Sequence, residues 1–406
     1  MSEANIESLE AFRARARAWI RDNLEHGHAE GRGDHEENMR LQRKVYDGGF
    51  AGIAVPQQYG GLGLTIEHQR VWAEEIEGYV GPQVMVCLGM MLPTVLDHGT
   101  EAVRQRHIPR MLRGEESWIQ LLSEPSGGSD MAGALTRATR KGDGYVVNGS
   151  KMWSSAANHA DYGLCLVRVD WDAPKHQGLA MVALPLKNER VTINPIIPAQ
   201  GGEAHFFLEY LDDVEIPAEY LLGQEGEGWT VAQRLLFHER NATAGVGYGY
   251  GMGGGSSEGS QWRLSLSDLA RRSGEDADWS ASLVVDDHIE AVVSGQLAGR
   301  IGTGMEGGKL EGQWGSLLKL GMGVDSPQNA ERSLAVSGAD GVVWTGEDEG
   351  GEPVLNWLRV RGVSIAGGSN EIQRNIVSER LLGLPREAGE DKNASFNDLM
   401  KARRRG

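Results

Sequence analysis

Four short segments carry the residue types that can do chemistry. Ser123-Glu-Pro-Ser-Gly-Gly-Ser129-Asp130 is an apolar strand running into a turn of small residues. Such a turn aims backbone N–H groups and hydroxyls into one concavity, which suits an anion or a phosphate. Asn148-Gly-Ser-Lys-Met-Trp153-Ser154-Ser155 sets an indole beside two hydroxyls, and Ala366-Gly367-Gly368-Ser369-Asn370-Glu371-Ile-Gln-Arg374 places small and polar residues at a helix start, where the dipole favours phosphate. The fourth segment, Leu235-Leu-Phe-His-Glu239-Arg240, supplies a carboxylate. A lone Glu-Arg on a helix is ordinarily a solvated pair, but here an apolar run precedes it and a glycine-rich run follows. Adjacent helix residues do not face each other, so Arg240 need not neutralise Glu239. Gly249–Gly254 matches G-x-G-x-x-G, yet it follows no strand and opens no βαβ unit, so it does not read as a dinucleotide fingerprint. No set of metal ligands is assigned.

The elements that must position these segments fall into three blocks. Over the first block, residues 1–117, apolar residues such as Leu9, Phe12, Ala16, Trp19 and Ile20 recur at helical spacing. Thr65-Ile-Glu-His68 has the look of a helix start, although His is not the usual partner in a capping box. In the second block, residues 118–224, short apolar runs at Trp118–Leu122, Tyr145–Asn148, Leu164–Val169, Ala180–Leu186 and Phe206–Leu211 alternate with turn signals, which predicts a β domain. Gly142-Asp-Gly144 and Asn148-Gly149 read as tight turns. The third block, residues 225–406, returns to helical periodicity at Trp229–Glu239, His288–Ile301, Leu310–Leu320 and Glu371–Leu382. Trp344–Pro353 reads as an acidic surface loop. Gly245–Gly255 holds seven glycines; it reads as a loop, or as a helix whose small faces, spaced by four, admit another backbone or a flat ligand. Helices, then strands, then helices point to an α+β multidomain chain, not a βαβ nucleotide fold.

Composition sets further bounds. The 406 residues are 40% hydrophobic and 24% charged, an ordinary globular balance with room for a large core. The two cysteines, Cys87 and Cys165, sit in apolar runs and read as buried free thiols. A formal net charge of −17 repels a phosphate backbone, so nucleic acid is not an expected partner, and an anionic ligand needs a local basic patch. The apolar stretch Val84–Leu96 is too short to span a bilayer and contains Pro93, and Met1–Glu10 is acidic and polar. No membrane insertion is expected, and the localisation reads as cytoplasmic.

Taken together and in this order, the segments resemble the acyl-CoA dehydrogenase family, over nearly the whole chain to about Pro385. That family carries Thr-Glu-Pro-x-x-Gly-Ser-Asp, then Asn-Gly-x-Lys-x-Trp-Ile-Thr, then Tyr-Glu-Gly-Thr-x-x-Ile-Gln-Arg near its C-terminus. The resemblance implies an N-terminal helical domain, a middle β domain and a C-terminal four-helix bundle, with FAD in the cleft between the last two. It implies that Leu122 and Ser123 line the isoalloxazine edge with backbone N–H groups and that Ser129 meets the FAD pyrophosphate and the substrate. Trp153 would stack near the dimethylbenzene face, with Ser154 and Ser155 beside the flavin. Ser369, Asn370 and Glu371 would follow the ribityl and phosphate portion. Serine replaces the family's usual threonine at 123, 155 and 369, keeping the hydroxyl. The implied reaction removes the α proton of an acyl-CoA thioester while a hydride leaves the β carbon, and an electron-transfer flavoprotein takes up the electrons.

Two departures shape the expectation. The best-known members carry the catalytic base as the Glu of Tyr-Glu-Gly, where this chain has Gly367. A branched-chain and long-chain subset carries it instead one residue before a family arginine, which is the position of Glu239. Glu239 is therefore the expected base, Arg240 supports the CoA or flavin region, and Gly367 and Gly368 offer backbone N–H groups to the thioester oxygen. The family's Lys/Arg-x-Phe-Gly segment has no counterpart in Ser256–Ser280, and Ser337-Gly-Ala-Asp-Gly341 only partly matches a Gly-Gly-x-Gly loop. The assembly accordingly stays open between a homodimer or homotetramer and a heterotetramer with a related subunit. Two other readings remain: a subunit that only completes another chain's FAD site, and other flavin chemistry such as a monooxygenase or desulfinase. Little side-chain bulk at Gly367, Gly368, Gly245, Gly249 and Gly253 points to a branched, cyclic or polycyclic acyl group, unless Met90, Met91 or Trp262 fills the space.

Overall fold

The computed structural model describes residues 6–27, 34–243, 247–248, 264–273, 278–343, 351–386, 389 and 391–403. The chain divides into two compact units. The first comprises residues 1–196, 204–255 and 390–406, and the second residues 197–203 and 256–389, so 225–406 is shared between them.

The first unit opens with helices α1 (Leu9–Asn23), α2 (His35–Asp47), α3 (Ile66–Glu75), α4 (Leu92–His98) and α5 (Glu101–Leu112). Each start has a local cause. The Ser8, Asp34 and Thr100 side chains cap α1, α2 and α5. At α3 His68 does complete the capping box, its Nδ1 accepting from the Thr65 N–H at 3.4 Å. Phe12, Ala16 and Ile20 bury one stripe of α1, and Arg13 and Arg17 both bind Glu75 of α3. The apolar run at 84–96 forms a π-helical turn, Met85–Met91, leading into α4, with Met90 and Met91 buried.

Eight strands follow in one sheet: β1 (Trp118–Leu121), β2 (Arg137–Lys141), β3 (Gly144–Ser155), β4 (Tyr162–Arg168), β5 (Leu179–Pro185), β6 (Val191–Ile196), β7 (Phe206–Pro217) and β8 (Leu221–Leu222). Their order is β6-β7-β3-β2-β4-β5-β8, with β1 parallel to β4. β2 went unpredicted because it is mostly charged and exposed, and β6 because it is a short edge strand interrupted by Pro195, although Val191 and Ile193 alternate with polar residues. Gly142-Asp143 does form the β2–β3 turn, with Gly142 at φ 56°. Asn148-Gly149 does not turn the chain. It runs on within β3 opposite a bulge of β7, where Asp212 and Asp213 together face Asn148; the Asn148 amide and the Asp213 main chain and carboxylate exchange two 2.9 Å bonds there. A Cβ at Gly149 would lie 2.7 Å from Thr136 Cα, so this position requires glycine.

Helix α6 (Gly228–Thr243) packs on the sheet, starting where Gly228 lies against the Ala180 backbone. In the second unit come α7 (Leu266–Ser273), α8 (Asp278–Glu306), α9 (Gly315–Ser337), α10 (Glu352–Arg359) and α11 (Asn370–Ile376). The chain then rejoins the first unit as α12 (Phe396–Arg403), which sequence periodicity missed although Ser395-x-x-Asp398 is a capping signal. Cys87 and Cys165 are free and fully buried, and burial pushes both thiols up to about 12, which makes them packing residues. Among the described residues no helix is long and apolar enough to cross a membrane. Gly245, Gly249, Gly251, Gly253, Gly255, Trp262 and most of the 344–353 stretch lie outside the described residues.

Candidate active site

Two of the segments predicted to act together meet on the first unit. The Met152 N–H donates to the Ser123 carbonyl at 2.9 Å, so the end of β1 and the end of β3 lie side by side. Beneath them is a buried ion pair. The Lys151 ammonium donates to Glu124 Oε1 at 2.8 Å, to the Leu166 carbonyl at 2.6 Å and to the Leu122 carbonyl at 3.3 Å. Glu124 also accepts from the Leu135 and Thr136 N–H groups. Burial alone would raise the Glu124 carboxyl, but the Lys151 charge and these bonds outweigh it and hold it below its ordinary value. Glu124 and Lys151 are therefore the brace of both motifs, a role their types announced only once their pairing was visible.

Trp153 lies at a bulge of β3 itself, where Met152 faces Leu208 and Ser154 faces Phe207, leaving Trp153 as the extra residue. Its φ is 68°, a left-handed conformation that bulky residues rarely adopt. The indole is turned outward, 54% exposed, edge-on to Phe206 at 6.0 Å. Ser155 is half-buried beside it, whereas Ser154 points inward and donates to Glu209 Oε2 at 2.9 Å. A strained backbone that exposes a large aromatic fits a flat aromatic ligand better than it fits a core. Leu122 is buried and Ser123 half-buried next to it.

Ser129 is exposed on the small-residue turn, and a Cβ added at Gly128 would meet nothing within 4 Å, so the turn has open space above it. Asp130 anchors its end. Lys175 and Arg403 both pair with that carboxylate, which stays below its ordinary value against the effect of burial. These two cations more than offset the Asp130 charge beside the turn, in an otherwise acidic chain. Neither was read from the sequence, because α12 brings Arg403 across 273 residues of chain.

Glu239 is half-buried on α6, four residues after buried Leu235, at the edge of a face formed by Val231, Leu235, His238 and Ala242. The helix is clamped one residue earlier: His238 Nε2 stands 2.8 Å from Asp97 Oδ2, and Arg234 binds the same carboxylate. Arg240 is exposed.

On the second unit Gly367 and Gly368 have φ of 65° and 90°, so the backbone there requires glycine. Ser369 caps α11 by accepting from the Ile372 N–H, while Gln373 Nε2 donates to the Gly367 carbonyl at 3.0 Å. Asn370 turns inward: its Nδ2 donates to the Gly323 carbonyl, and its Oδ1 is buried without a hydrogen-bond partner. Glu371 is exposed.

Helices before and after a β sheet, with these motifs in this order, define a known architecture. Sequence models of the acyl-CoA dehydrogenase N-terminal, middle and C-terminal domains match residues 6–115, 120–210 and 226–382. The acyl-CoA dehydrogenase IpdE1 of Mycobacterium tuberculosis is 31% identical over 94% of this chain and 100% of its own length. Among solved structures, the Tcur3481-Tcur3483 steroid ACAD is 26% identical with a TM-score of 0.73, covering 95% of this chain and 100% of that one. The ChsE4-ChsE5 complex from Mycobacterium tuberculosis shares the fold at 22% identity and a TM-score of 0.70, covering 95% of this chain and 100% of that one. The chain belongs to the acyl-CoA dehydrogenase family and is an oxidoreductase of that flavin-dependent class.

Proposed function

We propose that the protein binds FAD and dehydrogenates the α and β carbons of a CoA thioester with a bulky acyl group, of the steroid side-chain kind. The observation that carries this reading is Glu239: a half-buried carboxylate on a clamped helix, in a chain with glycine at 367. FAD would supply the acceptor for the hydride equivalent from the β carbon. Glu239 takes the α proton, Arg240 lies toward the CoA or flavin region, and main-chain N–H groups at Gly367–Gly368 face the thioester oxygen as negative charge builds there. Leu122, Ser123, Trp153, Ser154 and Ser155 hold the flavin ring region, and Ser129 the pyrophosphate. Ser369, Asn370 and Glu371 serve the ribityl and phosphate portion, with Asn370 acting through the backbone it fixes.

The acyl preference is supported by Gly367, which leaves no side chain where other members carry a glutamate, beside a second glycine at 368, and by the steroid ACAD among the similar structures. An electron-transfer flavoprotein is the proposed acceptor and the cytoplasm the proposed compartment. A partner subunit, identical or related, is supported by the exposed apolar stripe of α8, Val285, Ile289, Val292, Val293 and Leu297. Comparing kcat/KM across butyryl-, octanoyl-, isovaleryl- and steroid-side-chain-CoA tests the acyl assignment. The steroid thioester is expected to lead by at least about tenfold, the worth of a few well-buried methylenes. A preference for butyryl-CoA would overturn the bulky-group assignment and leave the dehydrogenase assignment standing.

A further inference from the structure

Directly below the Trp153 bulge lies a carboxyl group that the dehydrogenation does not use. Glu209 occupies an inward position of β7, between buried Phe207 and Leu211, and is itself fully buried. Its Oε2 accepts the Ser154 hydroxyl at 2.9 Å, while its Oε1 is buried without a hydrogen-bond partner. A buried carboxylate needs a cation. The nearest is Lys151, directly opposite in the β3–β7 register. All three of its N–H groups are spent on Glu124, Leu122 and Leu166. The other groups facing Glu209 give no help: Glu124 is anionic and consumes the Lys151 charge, and the Cys165 thiol of β4 stays neutral. Burial therefore pushes Glu209 up to about 7, against the pull of Ser154 and Lys151.

We propose that Glu209, buried under the bulge and holding the Ser154 hydroxyl, is the positioning residue of Trp153. It fixes Ser154 inward, which turns Trp153 outward and sets Ser155 beside it. This rests on the assignment of Trp153 and Ser155 to the FAD site. Ionisation strengthens the Ser154 bond but leaves a buried charge on Oε1 with no partner, which is relieved by letting water in between β3 and β7 and so loosening the bulge above. The competent arrangement is thus present at and below neutral pH and is depopulated as pH rises through the titration of Glu209. Apparent ligand affinity scales with the competent fraction. The FAD dissociation constant is expected to rise roughly tenfold between pH 6.5 and 8.

The test uses the full-length chain labelled with 5-fluorotryptophan, its Trp153 ¹⁹F resonance identified by Trp153→Phe. In the parent that resonance shifts with pH across neutrality, and FAD affinity falls over the same range. In Glu209→Gln, neutral at every pH, the resonance stays at its low-pH position and affinity is flat. In Glu209→Leu, which cannot hold Ser154, the resonance is displaced at all pH values. A Trp153 resonance that is insensitive to pH, or that titrates equally in Glu209→Gln, overturns the proposal. A chain that binds no FAD at any pH overturns the cofactor assignment alone, because the ¹⁹F titration is read without cofactor.

Discussion

Glu239→Gln is expected to retain the fold and bind FAD but to lose about 10²–10⁴-fold in kcat, the usual cost of deleting a positioned general base. The amide keeps the volume and hydrogen bonding of the side chain and removes only its ability to take a proton. The half-buried setting at the edge of the α6 core face favours this role, since it holds the carboxylate on an ordered helix at the rim of the core. The Asp97–His238 bond keeps α6 from turning, so the loss should appear in kcat with little change in substrate affinity. Single-turnover reduction with the preferred thioester measures it, and turnover within twofold of the parent would remove Glu239 from the mechanism.

The second large effect is structural. Lys151→Met should lower stability by about 3–5 kcal/mol, because it leaves Glu124 charged and buried without its cation. Both side chains are essentially excluded from water, so solvent cannot take over for the lost partner. The double variant Lys151→Met, Glu124→Gln should recover much of the loss, since the glutamine carbonyl still accepts from Leu135 and Thr136 without carrying charge. Urea denaturation reads both. A single variant that melts with the parent would show that the pair contributes little to the brace between the two motifs.

These two residues also mark the limit of what the sequence discloses. The Ser123–Asp130 turn alone reads as an ordinary Ser/Gly loop, and it and the Trp153 segment stood out only in order with the Ala366–Arg374 segment. The strained φ of Trp153 was not legible, because it arises from a register shift against β7 and has no local signature. Asn148-Gly149 has the composition of a hairpin turn, and only its cross-strand partner Asp213, in a bulge of β7, keeps it within the strand. Glu209 did leave a signal: it interrupts the inward alternation of Phe207 and Leu211, where a charged residue has no place unless neutral or paired. Arg403 left none, since nothing short-range connects it to Asp130. The helical and β blocks were readable because periodicity depends on neighbours two residues away in a strand and three or four in a helix, whereas β2 and β6 depend on the strands beside them.

The central claim is that this chain, with Glu239 as base, oxidises an acyl-CoA. The most direct measurement mixes the purified chain, produced with its subunit partner where one is required, with the steroid-side-chain thioester under anaerobic conditions. The flavin absorbance near 450 nm is recorded together with the mass of the thioester. The account predicts bleaching in step with formation of an α,β-unsaturated product about two mass units lighter, the mass of the two hydrogens removed, and neither change in Glu239→Gln. Bleaching that persists in Glu239→Gln, or a yellow protein that no acyl-CoA reduces, would contradict it.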